Sequence, residues 1–333
     1  LLRMGTHQLL ELRTPPHAAI HETVMLARNE VGTGSSGFIN AVLRRVSERT
    51  PKQWQDQLKK DHGKVNTVGF LSDWFSHPKW IVRALSESLR AHGRAHKDLL
   101  SVLRAHNEPA AVALVARDIP VEELRADIGR GHMDSTPGHL VDTAVLLEGG
   151  DPGRVFAVKD GYAGVQDEGS QLVARTFAAA PIDGPDGAWL DMCSGPGGKT
   201  ATLAALNPKA TIFANELHEH RLDLVANSVG PWSDRVNLRL GDGREIGAKE
   251  PQRYDRVLID APCTGIGALR RRPESRWNKE AADAFDLVKL QLSLLESGWD
   301  ALRSGGVLGY STCSPYLAET TQVMETFLAG RDD

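Results

Sequence analysis

Residues 188–200 read Ala-Trp-Leu-Asp-Met-Cys-Ser-Gly-Pro-Gly-Gly-Lys-Thr. An apolar strand, 188–192, runs into a turn carrying Gly195, Gly197 and Gly198 and then into a helical stretch, 198–206. Glycines there let the backbone approach a ligand closely, and the start of the helix leaves N–H groups free to face it. Working outward, a helix is predicted over 168–179, a strand over 210–215 and a helix over 218–228. Strands follow over 235–239 and 254–259, then a helix over 280–302 and a strand over 306–311. Strands alternating with helices predict an α/β fold with a doubly wound, mostly parallel sheet. Ligands in such sheets sit outside the carboxyl ends of the strands.

Two familiar glycine loops fail on spacing. A phosphate-binding loop ending in Gly198-Lys199-Thr200 needs glycine where Cys193 stands, and a dinucleotide loop needs G-x-G-x-x-G where this chain has only G-x-G-G. The turn points instead to another nucleotide-like cofactor, lined by Cys193, Ser194, Gly195, Pro196, Gly197, Gly198 and Lys199. Two further acids stand at strand ends. Glu216, 18 residues past Gly198, is placed to accept hydrogen bonds from a ribose diol. Asp242, between Gly241 and Gly243, is placed toward an adenine, although an Asp-Gly turn forms equally well without a ligand.

The next two strand ends carry thiols. After Tyr254–Ile259 comes Asp260-Ala-Pro-Cys-Thr-Gly265; after the last strand comes Tyr310-Ser-Thr-Cys-Ser314. A single cysteine is most often a small buried hydrophobe. Two of them, Cys263 and Cys313, at the same sheet edge as the glycine turn and among Ser311, Thr312 and Ser314, point to covalent catalysis. The basic cluster Arg270, Arg271, Arg272, Arg276 and Lys279 lies between the thiols. By charge alone it is either a solvated face or a phosphate-binding segment.

The rest of the 333 residues set the context. A hydrophobic fraction of 41% and a charged fraction of 25% belong to a globular protein of two or three domains. Net charge is −4 and the isoelectric point about 6.3, so any nucleic-acid surface must be a local patch. Three cysteines, Cys193 included, spaced by 70 and 50 residues, match neither a disulfide framework nor a zinc pattern, and no metal is expected. No apolar run reaches the roughly 18 residues of a membrane span, and the opening LLRMGTHQLLELR lacks a leader's apolar core. A reducing, cytoplasmic setting is expected. Helices are predicted over His17–Arg28, with Ala19, Ile20, Val24 and Ala27 on one stripe, and over Phe38–Val46, with Gly32, Gly34 and Gly37 breaking the pattern between them. Residues 54–73 read as a linker with some helix, followed by helices over 79–92 and 96–106. Strands over 111–116, 139–147 and 154–158 around a helix over 121–128 make a small α+β unit.

Together these segments resemble the Sun/RsmB family of RNA 5-methylcytosine methyltransferases. DMCSGPGGKT is similar to that family's cofactor loop, DAPCTG to its proline-cysteine motif and YSTCS to its catalytic cysteine motif; Gln166–Ser170 and ALRRRPESRW extend the likeness. HAAIHETVMLAR and GFINAVLRR resemble the NusB-like helical domain of the bacterial branch. The loop departs from the family in reading Ser-Gly where Ala-Ala is usual. The family's first helices and last strands lie outside the chain, so residues are expected beyond both ends. The resemblance implies a partial NusB-like, all-α RNA-binding domain at 1–60, a linker and small α+β subdomain at 61–165, and a Rossmann-like catalytic domain dependent on S-adenosylmethionine at 166–333. It implies that Asp260 sits between cofactor and base, that Cys313 is the nucleophile and that Cys263 helps release the product. Ribosomal RNA of the small subunit is the implied substrate.

The chemistry fits these roles. Carbon 5 of cytosine is a poor nucleophile, and a thiolate adding to carbon 6 turns it into an enamine carbon. Asp260 is the candidate for hydrogen bonding at nitrogen 3. The thiol requires a nearby cation, which the sequence does not identify. A DNA cytosine methyltransferase would use the Pro-Cys thiol as nucleophile, but its Glu-Asn-Val partner is absent. The alternative outside catalysis is an RNA-binding antitermination or assembly factor built on the NusB-like part.

Overall fold

The computed structural model describes residues 1–12 and 14–331; Arg13, within the opening stretch, and the terminal Asp332 and Asp333 lie outside the described residues. The chain divides into two compact units, Leu1–Val82 and Arg83–Asp333.

The first unit is helical: α1 (Leu2–Leu10), α2 (Pro16–Glu30), α3 (Thr33–Ser47), α4 (Pro51–His62) and α5 (Val68–Trp74). Ala27, Ile39 and Leu43 are buried together, with Ile20 and Val24 packed against them. The predicted stripe of α2 is therefore the one used. On α3 it is Ile39 and Leu43 that turn inward, while Phe38 is 64% exposed. The expected glycine break is confined to Gly32, which caps α3 at φ +113°; Gly34 and Gly37 lie inside the helix. Ser35 Oγ and Ser36 Oγ donate to the carbonyls of Gly32 and Thr33, which supports this first turn. The expected linker is mostly helix. Thr50 and Gln53 form a reciprocal capping box at the start of α4, and the boundary expected after residue 60 falls inside that helix.

Helix α6 (Lys79–Ala91) crosses the division. The second unit continues with α7 (His96–Ala105), β1 (Val112–Ala116), α8 (Val121–Arg130), β2 (Ser135–Pro137), β3 (Ala144–Leu147), α9 (Phe156–Lys159) and β4 (Ala163–Val165). Its four strands form an antiparallel sheet in the order β2-β3-β1-β4. Residues 154–158, expected as a strand, are the end of a 3₁₀ turn and most of α9. Acidic side chains explain the change: Asp151 Oδ1 accepts from Gly153 N at 2.9 Å, and Asp127 Oδ2 accepts from Ala157 N at 2.8 Å. These bonds satisfy amides that a ladder would otherwise need.

The rest alternates as read: α10 (Glu168–Ala179), β5 (Ala188–Asp191), α11 (Gly198–Leu206), β6 (Thr211–Glu216), α12 (Glu219–Ser228), β7 (Val236–Leu240), the single turn α13 (Ile246–Lys249), β8 (Tyr254–Asp260), α14 (Asp283–Ala301), β9 (Leu302–Ser311) and α15 (Thr321–Leu328). The five strands are parallel throughout, in the order β7-β6-β5-β8-β9. Successive strand residues face opposite sides. Trp189, Ile212, Ala214 and Leu258 pack with residues of α10, α11 and α12. Leu190, Val257 and Ile259 pack with residues of α14 and α15. Both faces are covered, so the strands read as nearly continuous apolar runs. From β5 the chain winds out to β7 and then returns to β8 on the other side. The ends of β5 and β8 thus flank the switch point where ligands bind in such sheets.

Candidate active site

The turn after β5 is held by its neighbours. Ser194 donates through both N and Oγ to Asn215 O, each at 2.9 Å. Asn215 Nδ2 donates to Met192 O at 3.1 Å and Gly241 O at 3.0 Å, stapling the ends of three strands. Gly195 N donates to Glu216 Oε2 at 3.1 Å, and Arg221 Nη2 donates to Gly195 O at 2.7 Å. The approach is so close that a Cβ on Gly195 would lie 2.3 Å from Glu216 Oε2. Gly197 has φ +102°, and a Cβ there would meet the Val225 backbone at 2.8 Å. The conformation of Gly197 and its contact account for that glycine of the G-x-G-G pattern, and the close fit of Gly195 against Glu216 suits the first.

The turn opens on a cavity of about 200 Å³, lined by Cys193, Ser194, Gly195, Pro196, Gly198, Lys199, Asp191 and Asp260. Gln166 closes another side. Its Oε1 accepts from Thr202 Oγ1 at 2.7 Å and from Arg117 Nη2 at 3.3 Å, and its Nε2 donates to Ser170 Oγ at 3.2 Å. Arg117 also reaches Gly198 O at 3.3 Å, and burial pulls its guanidinium down to about 10.

Asp191, the first residue of the Asp191–Thr200 motif, lies at the floor of the cavity, a role that its residue type alone does not reveal. Its Oδ2 accepts from Thr200 Oγ1 at 2.7 Å, while the buried Oδ1 has no hydrogen-bond partner among the described residues. Burial pushes the carboxyl up to about 6, against the Thr200 bond that pulls it down. A buried carboxylate oxygen left open beside a cavity suits a cationic ligand group.

Neither of the two acids assigned to the cofactor lines this cavity. Glu216 is buried under the turn, accepting from Gly195 N and His218 N. Asp242 accepts from Arg244 N at 3.0 Å and pairs with the Arg244 guanidinium, which holds its carboxyl below the usual range. Both stand at the carboxyl ends of adjacent strands, β6 and β7.

Across the switch point, Asp260 ends β8. Its Oδ2 accepts from Lys199 Nζ at 2.7 Å and its Oδ1 from Ser311 Oγ at 2.9 Å. Cys263 and Cys313 meet with Sγ–Sγ at 3.4 Å, well beyond the roughly 2.05 Å of a disulfide. Cys313 is exposed and Cys263 half-buried. A hydrogen bond from Cys263 is the main cause that brings the Cys313 thiol down to about 7; Lys199 helps, while burial and Asp260 oppose. The same hydrogen bond and burial push Cys263 up. Lys199 is the cation that acts on Cys313, and the Asp260 paired with it acts more strongly in the opposite direction. Cys193 is pushed up by burial and by Asp191 and Asp260, which leaves it an inert thiol. A larger cleft of about 770 Å³ contains Cys313, Asp260 and Lys199, with His139, Arg270 and Arg271 also in its lining.

The basic segment divides. Arg270 donates to the carbonyls of Glu108 and Pro109, and Arg271 to that of Ala111 while pairing with Asp167. Arg276 is buried, with Nη1 on Asn107 Oδ1 at 2.7 Å and Nη2 on His106 O at 2.6 Å. It anchors the 106–111 segment and is withdrawn from any phosphate, contrary to its expected place on an RNA-binding surface. Arg272 and Lys279 make no side-chain hydrogen bond or ion pair among the described residues. No group of three or more His, Cys, Asp or Glu among the described residues could hold a metal ion, and no described helix is long and apolar enough to cross a membrane.

The family model for 16S rRNA methyltransferase RsmB/F matches residues 180–333, and that for the NusB family matches residues 1–48. A Mycobacterium tuberculosis protein described as "putative methyltransferase" is 45% identical over 322 residues, covering 96% of this chain and 68% of that protein. The ribosomal RNA small subunit methyltransferase B of Citrobacter koseri is 32% identical over 345 residues, covering 100% of this chain and 74% of that protein. In fold, the crystal structure of PH0851 covers 99% of this chain and 72% of that chain with a TM-score of 0.80 at 21% identity. With its glycine turn and paired thiols on one sheet edge and this likeness along nearly its whole length, the chain belongs to the RsmB/F family of 16S rRNA methyltransferases, joined to a NusB-family segment.

Proposed function

We propose that this chain methylates carbon 5 of a cytosine in small-subunit ribosomal RNA, in the cytoplasm, with S-adenosylmethionine as methyl donor and Cys313 as nucleophile. The observation that carries the reading is the thiol pair, 3.4 Å apart, beside the Lys199–Asp260 ion pair. The 200 Å³ cavity would take only the cationic end of the cofactor: the positive charge suits the open oxygen of Asp191, and the turn from Cys193 to Lys199 offers backbone groups at close approach. When bound, the cofactor supplies a methyl group on a sulfonium sulfur.

The chain's own residues do the rest. The Cys313 thiolate adds to carbon 6 of the flipped-out base, and the displaced electron pair moves toward nitrogen 3. The Lys199–Asp260 pair faces that charge and holds a proton for it, with Ser311 fixing the carboxylate. After methylation the carbon 5 proton departs to water in the open cleft. Its electron pair restores the C5=C6 bond, and the C6–S electrons return to Cys313. Cys263, which keeps its proton, donates to the departing sulfur. Arg272 and Lys279 contact RNA phosphate, which positions the strand without reading its sequence.

The test uses rRNA containing 5-fluorocytosine, which blocks the final proton loss and traps the adduct. The wild-type chain forms a covalent band on a denaturing gel, Cys313→Ala forms none, and Cys263→Ala accumulates an adduct even on ordinary RNA. Trapping by Cys313→Ala together with its loss in Cys263→Ala would reverse the two roles and sink the assignment.

A further inference from the structure

One buried acid without a part in the mechanism stands beside the thiol loops. Glu319, between β9 and α15, has no exposed surface, yet its carboxylate bonds to the Cys263 loop and is linked through Thr264 to the Cys313 loop. Oε1 accepts from Thr264 N at 2.7 Å and from Gln291 Nε2 at 3.4 Å, and Oε2 accepts from Thr264 Oγ1. Gln291 Nε2 also donates to Pro262 O at 2.8 Å, so the residues on both sides of Cys263 are tied to one carboxylate. The tie continues to the other loop: Thr264 Oγ1 lies 3.2 Å from Ser314 Oγ, next to Cys313. Gly267 N donates to Cys313 O at 3.0 Å, and Tyr310 OH donates to Glu319 O at 2.9 Å. Burying a carboxylate is costly unless donors surround it, and three surround this one. All three come from the elements that carry the thiols or flank them.

We propose that Glu319 is a positioning residue that holds Cys263 and Cys313 in register and makes Cys313, not Cys263, the thiol that ionises. The inference rests on the division of labour between the thiols proposed above. Two features support it. The Sγ–Sγ contact depends on two separate loops, and Glu319 is the group bonded to one and linked through Thr264 to the other. The charged and titratable groups facing the pair are Lys199 and Asp260 on the Cys313 side and Glu319 and Tyr310 on the Cys263 side. The hydrogen bond to Cys313 and burial chiefly hold the proton on Cys263, and the Glu319 carboxylate adds to them. Charge placed unequally around two touching thiols reinforces what their hydrogen bond sets. Glu319 does not touch the base and takes no part in bond making.

The experiment measures each thiol directly in the full chain without RNA. Iodoacetamide alkylation is followed from pH 6 to 9.5, and the peptides bearing Cys263 and Cys313 are quantified by mass spectrometry. In the wild type Cys313 reacts at least ten-fold faster than Cys263 at pH 7.5. Glu319→Gln replaces an acceptor oxygen with an NH₂ that faces the Thr264 and Gln291 donors. The expected result is a fall in that ratio of at least five-fold, with an upward move of the Cys313 midpoint. Thr264→Val removes only the hydroxyl link and gives a smaller fall, and it carries the test if Glu319→Gln does not fold. S-adenosylmethionine binding by calorimetry is unchanged in the folded variants, while kcat drops with KM for RNA held. An unchanged alkylation ratio in either folded variant overturns the proposal, even if its melting temperature falls. Because this readout needs no methyl transfer, it stands apart from the fluorocytosine test: failure there removes the reaction, and failure here removes only Glu319.

Discussion

At the scale of single residues, Asp191 and Cys313 are two acids pushed in opposite directions. Asp191 is raised from 3.8 to about 6 because it is buried. A folded value above the unfolded one means that stability present below pH 3.8 is lost as the pH rises through about 6. Two units correspond to about 3 kcal/mol. Asp191→Asn should therefore be more stable than the wild type at pH 7.5, by up to about 3 kcal/mol, with the gap closing by pH 4 in urea titrations. The same variant should bind S-adenosylmethionine at least ten-fold more weakly, and its binding should lose the wild type's decline below pH 6. A variant that bound the cofactor normally would remove Asp191 from the site. Cys313 is lowered to about 7, so adduct formation should rise through pH 7 and not through 9. Lys199→Met should move that midpoint upward and slow trapping about ten-fold at pH 7.5. Neither shift is visible in a string of letters. Asp191 sits in the quoted motif, but its open oxygen depends on Thr200 taking the other one, and the cation near Cys313 comes from a residue 114 positions away in the chain.

At the scale of elements, the turn after β5 and the segment after Cys263 show which local signals could be read. The glycine turn was legible because its geometry is written in residue type: only a missing Cβ permits the φ of +102° at Gly197 and its approach to the Val225 backbone. Gly197→Ala should keep the far-ultraviolet circular dichroism of the wild type but lose at least ten-fold in cofactor affinity, since its φ of +102° and the Val225 backbone leave a Cβ no room and the turn must shift. The arginines were legible as charge but not as contacts. Arg270, Arg271 and Arg276 donate to carbonyls of residues 106–111, some 160 positions away, and no spacing rule reports such pairing. Arg276→Ala leaves buried acceptors unpaired and should cost about 2–4 kcal/mol in urea unfolding, whereas Arg272→Ala should change stability by less than about 0.5 kcal/mol. Equal losses would mean that Arg276 is not an anchor. The expected strand at 154–158 failed for a related reason: the acid that satisfies the α9 amide, Asp127, lies 30 positions upstream.

At the scale of the whole molecule, the parallel sheet was legible because strands buried on both faces read as apolar runs between helices, and the order of motifs along them follows the switch point. The short strands β2 and β4 were not, since three residues carry no periodicity. Charge also belongs to this scale. With a net charge of −4, the chain cannot hold RNA by overall attraction, so phosphate binding must rest on local cations. Each phosphate contact to a single strand contributes about −0.7 to the slope of log affinity against log salt. If all five basic residues of 270–279 made such contacts, the segment would supply a slope near −3.5. The structure withdraws Arg276 and ties Arg270 and Arg271 to carbonyls, which leaves Arg272 and Lys279 as the cations of this segment without competing partners among the described residues. Filter binding of an rRNA fragment from 50 to 300 mM salt should thus lose about 0.7 of slope in Arg272→Ala and a similar amount in Lys279→Ala. A folded Arg276→Lys variant should keep the wild-type slope, because its cation has no access to phosphate. A drop of the same size in Arg276→Lys would place that side chain on the RNA surface and overturn its reading as an internal anchor.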